Sequence, residues 1–335
     1  MCYVYCIVFL ILNSLAFEFL INHSTTHMPE NFTDIFLPKG VFVANLTPLK
    51  ADLSVDYPML AGHCRWLLKQ GADGIALLGT TGEANSFGVR ERIGVIESVL
   101  EAGIPGKRLM VGTGCCAFPD TVALTRFAVE SGAGGILMLP PFYYKPISDE
   151  GLFRYFKLVI EKVKDSRLRI YLYHFPKLSG VPFSTELVER LAQEFPGVVV
   201  GMKDSSGDWG HMQEVCERLP GFQLYAGTEK YLADVLKIGG AGCISATTNA
   251  TAALAADVFR RWSNGEEVGR LQERLSAIRQ AFEAGGFVPV LKQLFARWQQ
   301  WEEWLYMRPP QAPLPEAIID GIAKELAGLG FEYPV

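Results

Sequence analysis

A closed barrel of eight parallel strands alternating with helices, the (β/α)8 arrangement of the α/β class, is the fold that the sequence predicts, and three observations predict it. Eight short apolar runs recur from residue 40 onward. Each is apolar almost throughout, as expected of parallel strands covered on both faces. Segments of helical periodicity separate them, and successive runs lie roughly 25 to 35 residues apart, the length of a strand–helix–strand unit, except for a shorter step of about 19 before the last. An open doubly wound sheet is the alternative, but no Gly-x-Gly-x-x-Gly turn follows the first run, so the barrel is preferred.

In order, the runs are residues 40–47, 74–79, 109–114, 135–140, 169–174, 198–203, 223–227 and 242–246. The first connecting helix spans 56–70, with Leu60, Trp66 and Leu67 on its apolar side and Gly71 where it should stop. Pro119-Asp120 opens a later helix that Gly132 closes. Another covers 184–195, starting at a Ser/Thr cap with Glu186 and Glu189 near its positive end. After about residue 265 the strand signal stops, and 270–284, 288–304 and 315–326 are amphipathic. Trp298, Trp301 and Trp304 recur every three residues, which predicts a core stripe on one helix face. The chain therefore divides into an extension (1–38), the barrel (39–265) and a C-terminal helical region (266–335).

Residues 1–27 stand apart: their first 21 are an apolar run nearly long enough to span a bilayer. No Lys or Arg precedes Lys39, Glu18 interrupts the run, and Met28 begins a segment that reads as an ordinary start. An over-extended start is the preferred reading, and a targeting segment is the alternative.

Composition narrows the function. The chain has 335 residues, 49% of them hydrophobic and 20% charged, with a net charge of −5. That is a globular balance with no basic surface, which argues against nucleic acid and against an anionic membrane as partners. Seven cysteines form no Cys-x-x-Cys pair, and the five histidines show no zinc spacing. Reduced thiols, a cytoplasmic location and no metal are expected.

Catalytic side chains in a parallel barrel sit at the C-terminal ends of the strands. Lys203 stands out there, closing the apolar run Val198-Val199-Val200-Gly201-Met202. Side chains alternate along a strand, so Lys203 faces opposite to Met202 and Asp204. If it faces the barrel interior, a dry mouth favours the uncharged amine, a nucleophile suited to imine formation with a carbonyl. An arbitrary strand-end lysine simply reaches solvent. Tyr173, which ends the preceding strand, changes that balance, because a phenol beside the amine can shuttle protons. Tyr171 shares its face two residues deeper and packs in the interior. Gly79-Thr80-Thr81-Gly82-Glu83 is a turn able to hold a carboxylate or phosphate at a helix start; equally, Thr80 or Thr81 is only a helix cap.

These residues, with Tyr173-His174-Phe175-Pro176 before Gly180, Gly201-Met202-Lys203-Asp204, Gly239-Gly240-Ala241-Gly242-Cys243-Ile244-Ser245 and Arg308-Pro309-Pro310, carry a resemblance. Residues from about 40 to 315 resemble the dihydrodipicolinate synthase/N-acetylneuraminate lyase family of class I aldolases. The resemblance implies that Lys203 is the Schiff-base lysine and Tyr173 the proton shuttle, with Thr80 relaying to it. Thr80 and Thr81 would hold the carboxylate of a 2-oxo acid such as pyruvate. Gly82, Gly227, Ile244 and Ser245 fall at matching positions around the substrate. Tyr143, or Tyr144 beside it, matches a tyrosine inserted into a neighbouring subunit's site, in a homotetramer built as a dimer of dimers. No organic cofactor or metal is implied.

Two departures bear on the substrate. Dihydrodipicolinate synthases carry an arginine where this chain has Leu178, and a leucine cannot clamp a second carboxylate. Sialic-acid lyases typically carry Ser-Thr where this chain has Thr80-Thr81. Lys203-Asp204-Ser205-Ser206-Gly207 resembles the 2-keto-3-deoxygluconate aldolases. The expected reaction is therefore reversible cleavage of a 2-oxo-4-hydroxy acid to pyruvate and an aldehyde. A 2-oxo sugar-acid dehydratase, a 4-hydroxy-tetrahydrodipicolinate synthase and a non-catalytic barrel that binds 2-oxo acids are the alternatives.

Overall fold

The structure, a computed structural model, describes residues 37–333. The expectation of an over-extended start at 1–27 lies outside them. Eight parallel strands close in sequence order: β1 (Gly40–Ala44), β2 (Gly74–Leu77), β3 (Leu109–Gly112), β4 (Gly135–Met138), β5 (Ile170–His174), β6 (Val199–Asp204), β7 (Gln223–Ala226) and β8 (Gly242–Ser245). Closure pairs β8 with β1, from Gly40 opposite Gly242 to Val43 opposite Ser245.

Around the barrel run α1 (Tyr57–Lys69), α2 (Val89–Glu101), α3 (Phe118–Glu130), α4 (Asp149–Val163), α5 (Thr185–Glu194), α6 (Trp209–Arg218), α7 (Leu232–Lys237) and α8 (Thr248–Ser263). The starts of α1, α4, α5 and α6 are fixed by side chains that satisfy a free N–H group of the first turn. Asp56 accepts from the Met59 amide at 3.0 Å, and Ser184 from the Leu187 amide at 3.1 Å. Gly71 and Gly132, just past the ends of α1 and α3, have φ of 98° and 84°, values that only glycine adopts without strain.

Two apolar layers result. The inner one fills the barrel with Phe42, Met110, Leu137, Tyr171, Tyr225 and Ile244, and Tyr173 stands in its upper part. The outer one lies between strands and helices and includes Val43, Ile75, Leu172, Met202 and Cys243. Adjacent strand residues thus fall in different layers, as the pleat requires. Beyond α8 come α9 (Gly269–Ala281), α10 (Phe287–Gln299) and α11 (Glu316–Gly328). Their apolar faces meet the barrel in a separate cluster that joins Leu46, Ala246 and Ala250 to Ile278, Phe295 and Ile319. Among the described residues no helix is long and apolar enough to cross a membrane.

Two expectations need correction. The tryptophan stripe does not lie on one helix: α10 ends at Gln299 because Gln300 turns left-handed, with φ 59°. Trp304 is then buried in a following turn of 3₁₀ helix, while Trp301 is exposed. The turn holding Thr80 and Thr81 does not open an α-helix either. It leads into a single 3₁₀ turn, Ala84–Ser86, and α2 starts later behind Gly88, whose amide is capped by Glu91 at 2.9 Å. Neither threonine is a helix cap.

Candidate active site

The β5–β6 ladder decides which way Lys203 faces. Ile170 pairs with Val199 but Tyr171 pairs with Gly201, so one residue, Val200, is taken up by an irregularity in β6. Past it the rungs run Tyr171–Gly201, Tyr173–Lys203 and His174–Asp204. Tyr171 and Tyr173 belong to the inner layer, and the rung shared by Tyr173 and Lys203 therefore faces the barrel mouth. A Cβ at Gly201 would stand 2.5 Å from the Tyr171 ring, so on the rung below Lys203 the Tyr171 ring fills the space and β6 contributes no side chain.

At the mouth, Lys203 is 4% exposed, and its Nζ donates to the Tyr173 hydroxyl at 3.4 Å. The ammonium end lies 4.5 Å from the centre of the Tyr173 ring. Tyr173 is hydrogen-bonded in turn to Thr80 Oγ1 at 3.2 Å. Three residues, from the turn after β2 and from β5 and β6, thus form one connected chain, hydroxyl to phenol to amine. Thr80 and Tyr173 also line a cleft with Leu78, Ala84, Arg92 and Leu139.

The turn after β2 is held in an unusual shape. Leu78 and Glu83, on either side of it, both have φ of 56°. Left-handed backbone at non-glycine residues costs on the order of 1–3 kcal/mol and persists only where the surroundings impose it. Those surroundings are visible: Thr47 Oγ1 donates to the Gly82 carbonyl at 2.9 Å, and a Cβ on Gly82 would come within 3.1 Å of the Asn45 carbonyl oxygen. Thr81 is buried beside it.

The other expected residues fall in three groups. Ile244 is buried in the inner layer, and Gly227 closes the end of β7. A Cβ on Gly227 would stand 2.1 Å from Ser205 Oγ and 2.8 Å from the Asp204 carbonyl oxygen, so the position has room only for glycine. Ser245 turns outward: its hydroxyl donates to the buried carboxylate of Glu229, which also receives Thr247 and Thr251. Tyr143 and Tyr144, in the loop after β4, are 75% and 78% exposed and pack edge to face, 5.3 Å apart. They stand outside the hydrogen-bonded chain of Lys203, Tyr173 and Thr80. Leu178 is exposed on the one-turn helix Pro176–Ser179.

A further cluster escaped the sequence reading. On the outer side of the same ladder, His174, Asp204 and His211 bring ligand-type atoms within 4.8 Å of one another. The histidines are far apart in sequence, so no local spacing signals the group; only the adjacency of the β5 and β6 ends does. His211 Nδ1 lies 2.6 Å from Asp204 Oδ2, and the two imidazoles stack at 4.6 Å. His174 Nδ1 accepts the Phe183 N–H at 3.0 Å, which occupies that lone pair and leaves the hydrogen on Nε2. Stacked rings with one nitrogen already committed make a poor chelate, because a metal must lie in the plane of each ligating imidazole. Burial, above all, lowers the His174 pKa to about 4. Burial also lowers that of His211, but the hydrogen bond and charge of Asp204 outweigh it and hold the group above its ordinary value.

A parallel eight-stranded barrel with an amine, a phenol and a strained polar turn at the C-terminal ends of its strands is an enzyme scaffold, and its family and relatives make the class a lyase. The sequence profile of the dihydrodipicolinate synthetase family matches residues 37–327, and the chain belongs to that family. An uncharacterized DapA-like lyase from Chloroflexus aurantiacus is 37% identical over 256 residues, 76% of this chain and 85% of the relative. A 4-hydroxy-tetrahydrodipicolinate synthase from Neisseria meningitidis is 34% identical over 229 residues, 68% of this chain and 77% of that one. The crystal structure of dihydrodipicolinate synthase from Agrobacterium tumefaciens superposes with a TM-score of 0.79 at 32% identity, covering 87% of this chain and 99% of the other. The structure of YagE, a prophage protein of the same family from Escherichia coli, in complex with pyruvate, gives a TM-score of 0.76 at 26% identity, covering 87% and 98%.

Proposed function

We propose that the protein is a Schiff-base-dependent aldolase that reversibly cleaves a 2-oxo-4-hydroxy acid to pyruvate and an aldehyde, in the manner of 2-keto-3-deoxygluconate aldolases. The observation that carries the reading is the buried Lys203 amine donating to the Tyr173 phenol, itself bonded to Thr80. The pyruvate bound to the related YagE supports a 2-oxo acid as ligand.

Each residue then has a task. The Thr80-Thr81-Gly82 turn receives the substrate carboxylate, and Gly227 and Ile244 shape the space beside it. Lys203 adds to the C2 carbonyl, giving a carbinolamine. Tyr173 protonates the departing hydroxyl, which leaves as water and yields the iminium. The resulting phenolate takes the proton of the C4 hydroxyl, Thr80 relaying through its own hydroxyl. Electrons of the C3–C4 bond flow into the iminium, the aldehyde departs, and an enamine remains. Protonation at C3 and addition of water release pyruvate and restore the amine. The lysine is itself the electron sink, so these steps draw on no other cofactor. Ser245 lends its backbone to the pocket wall, since its hydroxyl is taken by Glu229.

A second reading, 4-hydroxy-tetrahydrodipicolinate synthase, is favoured by the names of relatives such as that from Neisseria meningitidis. It shares every step through the enamine, but would need another group to do what the missing arginine does at Leu178. We further propose a cytoplasmic homotetramer, supported by the adjacent exposed rings of Tyr143 and Tyr144 and by the free thiols of the described cysteines. Sedimentation at micromolar concentration tests the assembly.

Borohydride reduction in the presence of pyruvate tests the chemistry. A covalent adduct on Lys203, together with pyruvate release from a panel of 2-oxo-4-hydroxy acids, is expected. Reversible binding without an adduct would instead mark a non-catalytic binding barrel. Adduct formation with turnover only on aspartate semialdehyde would select the second reading, and water loss from 3-deoxy-2-oxo sugar acids would select a dehydratase.

A further inference from the structure

The turn that carries Thr80 and Thr81 ends in Glu83, and Glu83 is gripped from the far end of the chain. Its Oε1 lies 2.5 Å from Nζ of Lys292 on α10, and its Oε2 accepts the Arg308 amide at 3.1 Å. Lys292 also donates to the Tyr306 carbonyl at 2.8 Å. The Arg308 guanidinium donates to the Ser86 carbonyl at 2.7 Å and to Glu91 at the head of α2. Segments 83–91 and 292–308 are thus laced together at three successive points along the stretch that follows the threonines.

The ion pair is almost free of solvent: the Lys292 side chain is 0% and the Glu83 side chain 1% exposed. Such a pair is not explained by stability alone. Desolvating two charges costs about as much as their attraction returns, and apolar replacements of similar volume are often as stable or more so. What a buried, directional pair supplies is a single geometry. Here that geometry is the left-handed backbone of Glu83, which local sequence does not favour. Thr47 fixes Gly82 from the barrel side, Lys292 fixes Glu83 from the helical side, and Thr80 and Thr81 are displayed between them and β2.

We propose that Glu83 and Lys292 are positioning residues for the substrate: α10 holds the threonine turn in the shape that receives the carboxylate of the 2-oxo acid, so that the C-terminal helical region sets affinity at the barrel mouth. The inference rests on the imine-forming reading above.

The test uses the full chain, pyruvate and borohydride, with the variants Glu83→Gln and Glu83→Gln/Lys292→Met. Glu83→Gln keeps the side-chain volume but leaves the buried Lys292 charge unpaired; the double variant removes both charges, leaves no unpaired ion in the interior, and serves if Glu83→Gln does not fold. The pyruvate concentration giving half-maximal trapping of Lys203 is measured with the melting temperature, and kcat and KM are measured on whichever acid is turned over. A rise of about tenfold in half-saturation for the double variant is expected, the scale of one misplaced charge-assisted contact, with a smaller rise for Glu83→Gln. At saturating pyruvate Lys203 is still labelled, and kcat changes less than KM. Half-saturation within twofold of the parent in every folded variant, whatever happens to the melting temperature, overturns the proposal and leaves the pair a structural tie. Absence of any adduct in the unaltered protein instead sinks the imine reading, and this inference with it.

Discussion

On the proposed reading, Lys203 works through one neighbour across the ladder, not through the residues beside it in sequence. Asp204 follows it directly, yet its carboxylate belongs to the outer layer, bonded to Ser206 and His211. The amine is thus left without a carboxylate partner in its own rung and has the Tyr173 phenol instead. Lysine cannot be spared on this reading: Lys203→Ala should abolish both borohydride trapping and turnover. Tyr173→Phe keeps the ring under the amine and removes only the proton carrier, so a fall in kcat of about 10²- to 10³-fold is expected, with the adduct still formed slowly. If Tyr173→Phe retained full kcat, the phenol would be a packing group and the shuttle would have to be sought elsewhere.

At the scale of elements, the ends of β5, β6 and β7 form one unit. The Gly227 amide donates to the Asp204 carbonyl at 2.6 Å, which brings the β7 end against the loop after Lys203 and leaves no room for a Cβ. Gly227→Ala must displace backbone as well as the Ser205 side chain. We expect it to lower stability by about 1–3 kcal/mol, as overpacking does, and to depress kcat through the shift of β6; a chemical-denaturation midpoint with steady-state kinetics checks both. The outer side of the unit responds to pH with a definite sign. Asp204 holds the His211 pKa above the ordinary 6.5, so the pair's stabilisation is complete below that value and fades as pH rises through the folded-state pKa. His211→Gln should therefore lose more stability relative to the parent at pH 6 than at pH 9. An equal loss at both would show that the imidazole acts as a neutral spacer.

Across the whole molecule, the C-terminal helices close over α1 and the β1 end rather than hanging beside them. His63 of α1 sits among the rings of Trp66, Phe295 and Trp304, with Nε2 2.9 Å from Asn249 Oδ1. Burial lowers its pKa from 6.5 to about 4. The unfolded chain takes up a proton there before the folded one does, so stability should fall as pH drops from about 6.5 toward 4. His174 contributes in the same direction. Replacing His63 by Gln keeps a hydrogen-bonding side chain that does not titrate, and should flatten this acid limb. A denaturation-midpoint series between pH 7 and 4 measures the difference; an unchanged limb would assign it to other groups. The same region reaches the turn after β2 through Lys292 and Arg308, so on the positioning proposal above stability and substrate binding are mechanically joined.

How much of this was legible follows from what each feature depends on. Recurring apolar runs, the cap at Ser184, and a lysine and a tyrosine closing consecutive strands are local facts, and they located the barrel and its amine–phenol pair. The outward turn of Ser245 onto Glu229 and the shape of the turn after Gly82 depend on partners outside their own strands, and the left-handed Gln300 that ends α10 has no local sequence signal. So do the His174–Asp204–His211 stack and the Glu83–Lys292 pair, whose members lie 209 positions apart. The sequence alone determined the order of strands and helices, because burial periodicity is written residue by residue. Only the tertiary structure decided which polar groups meet, since the one-residue irregularity at Val200 and the path of the C-terminal helices choose among pairings that local patterning leaves equally open.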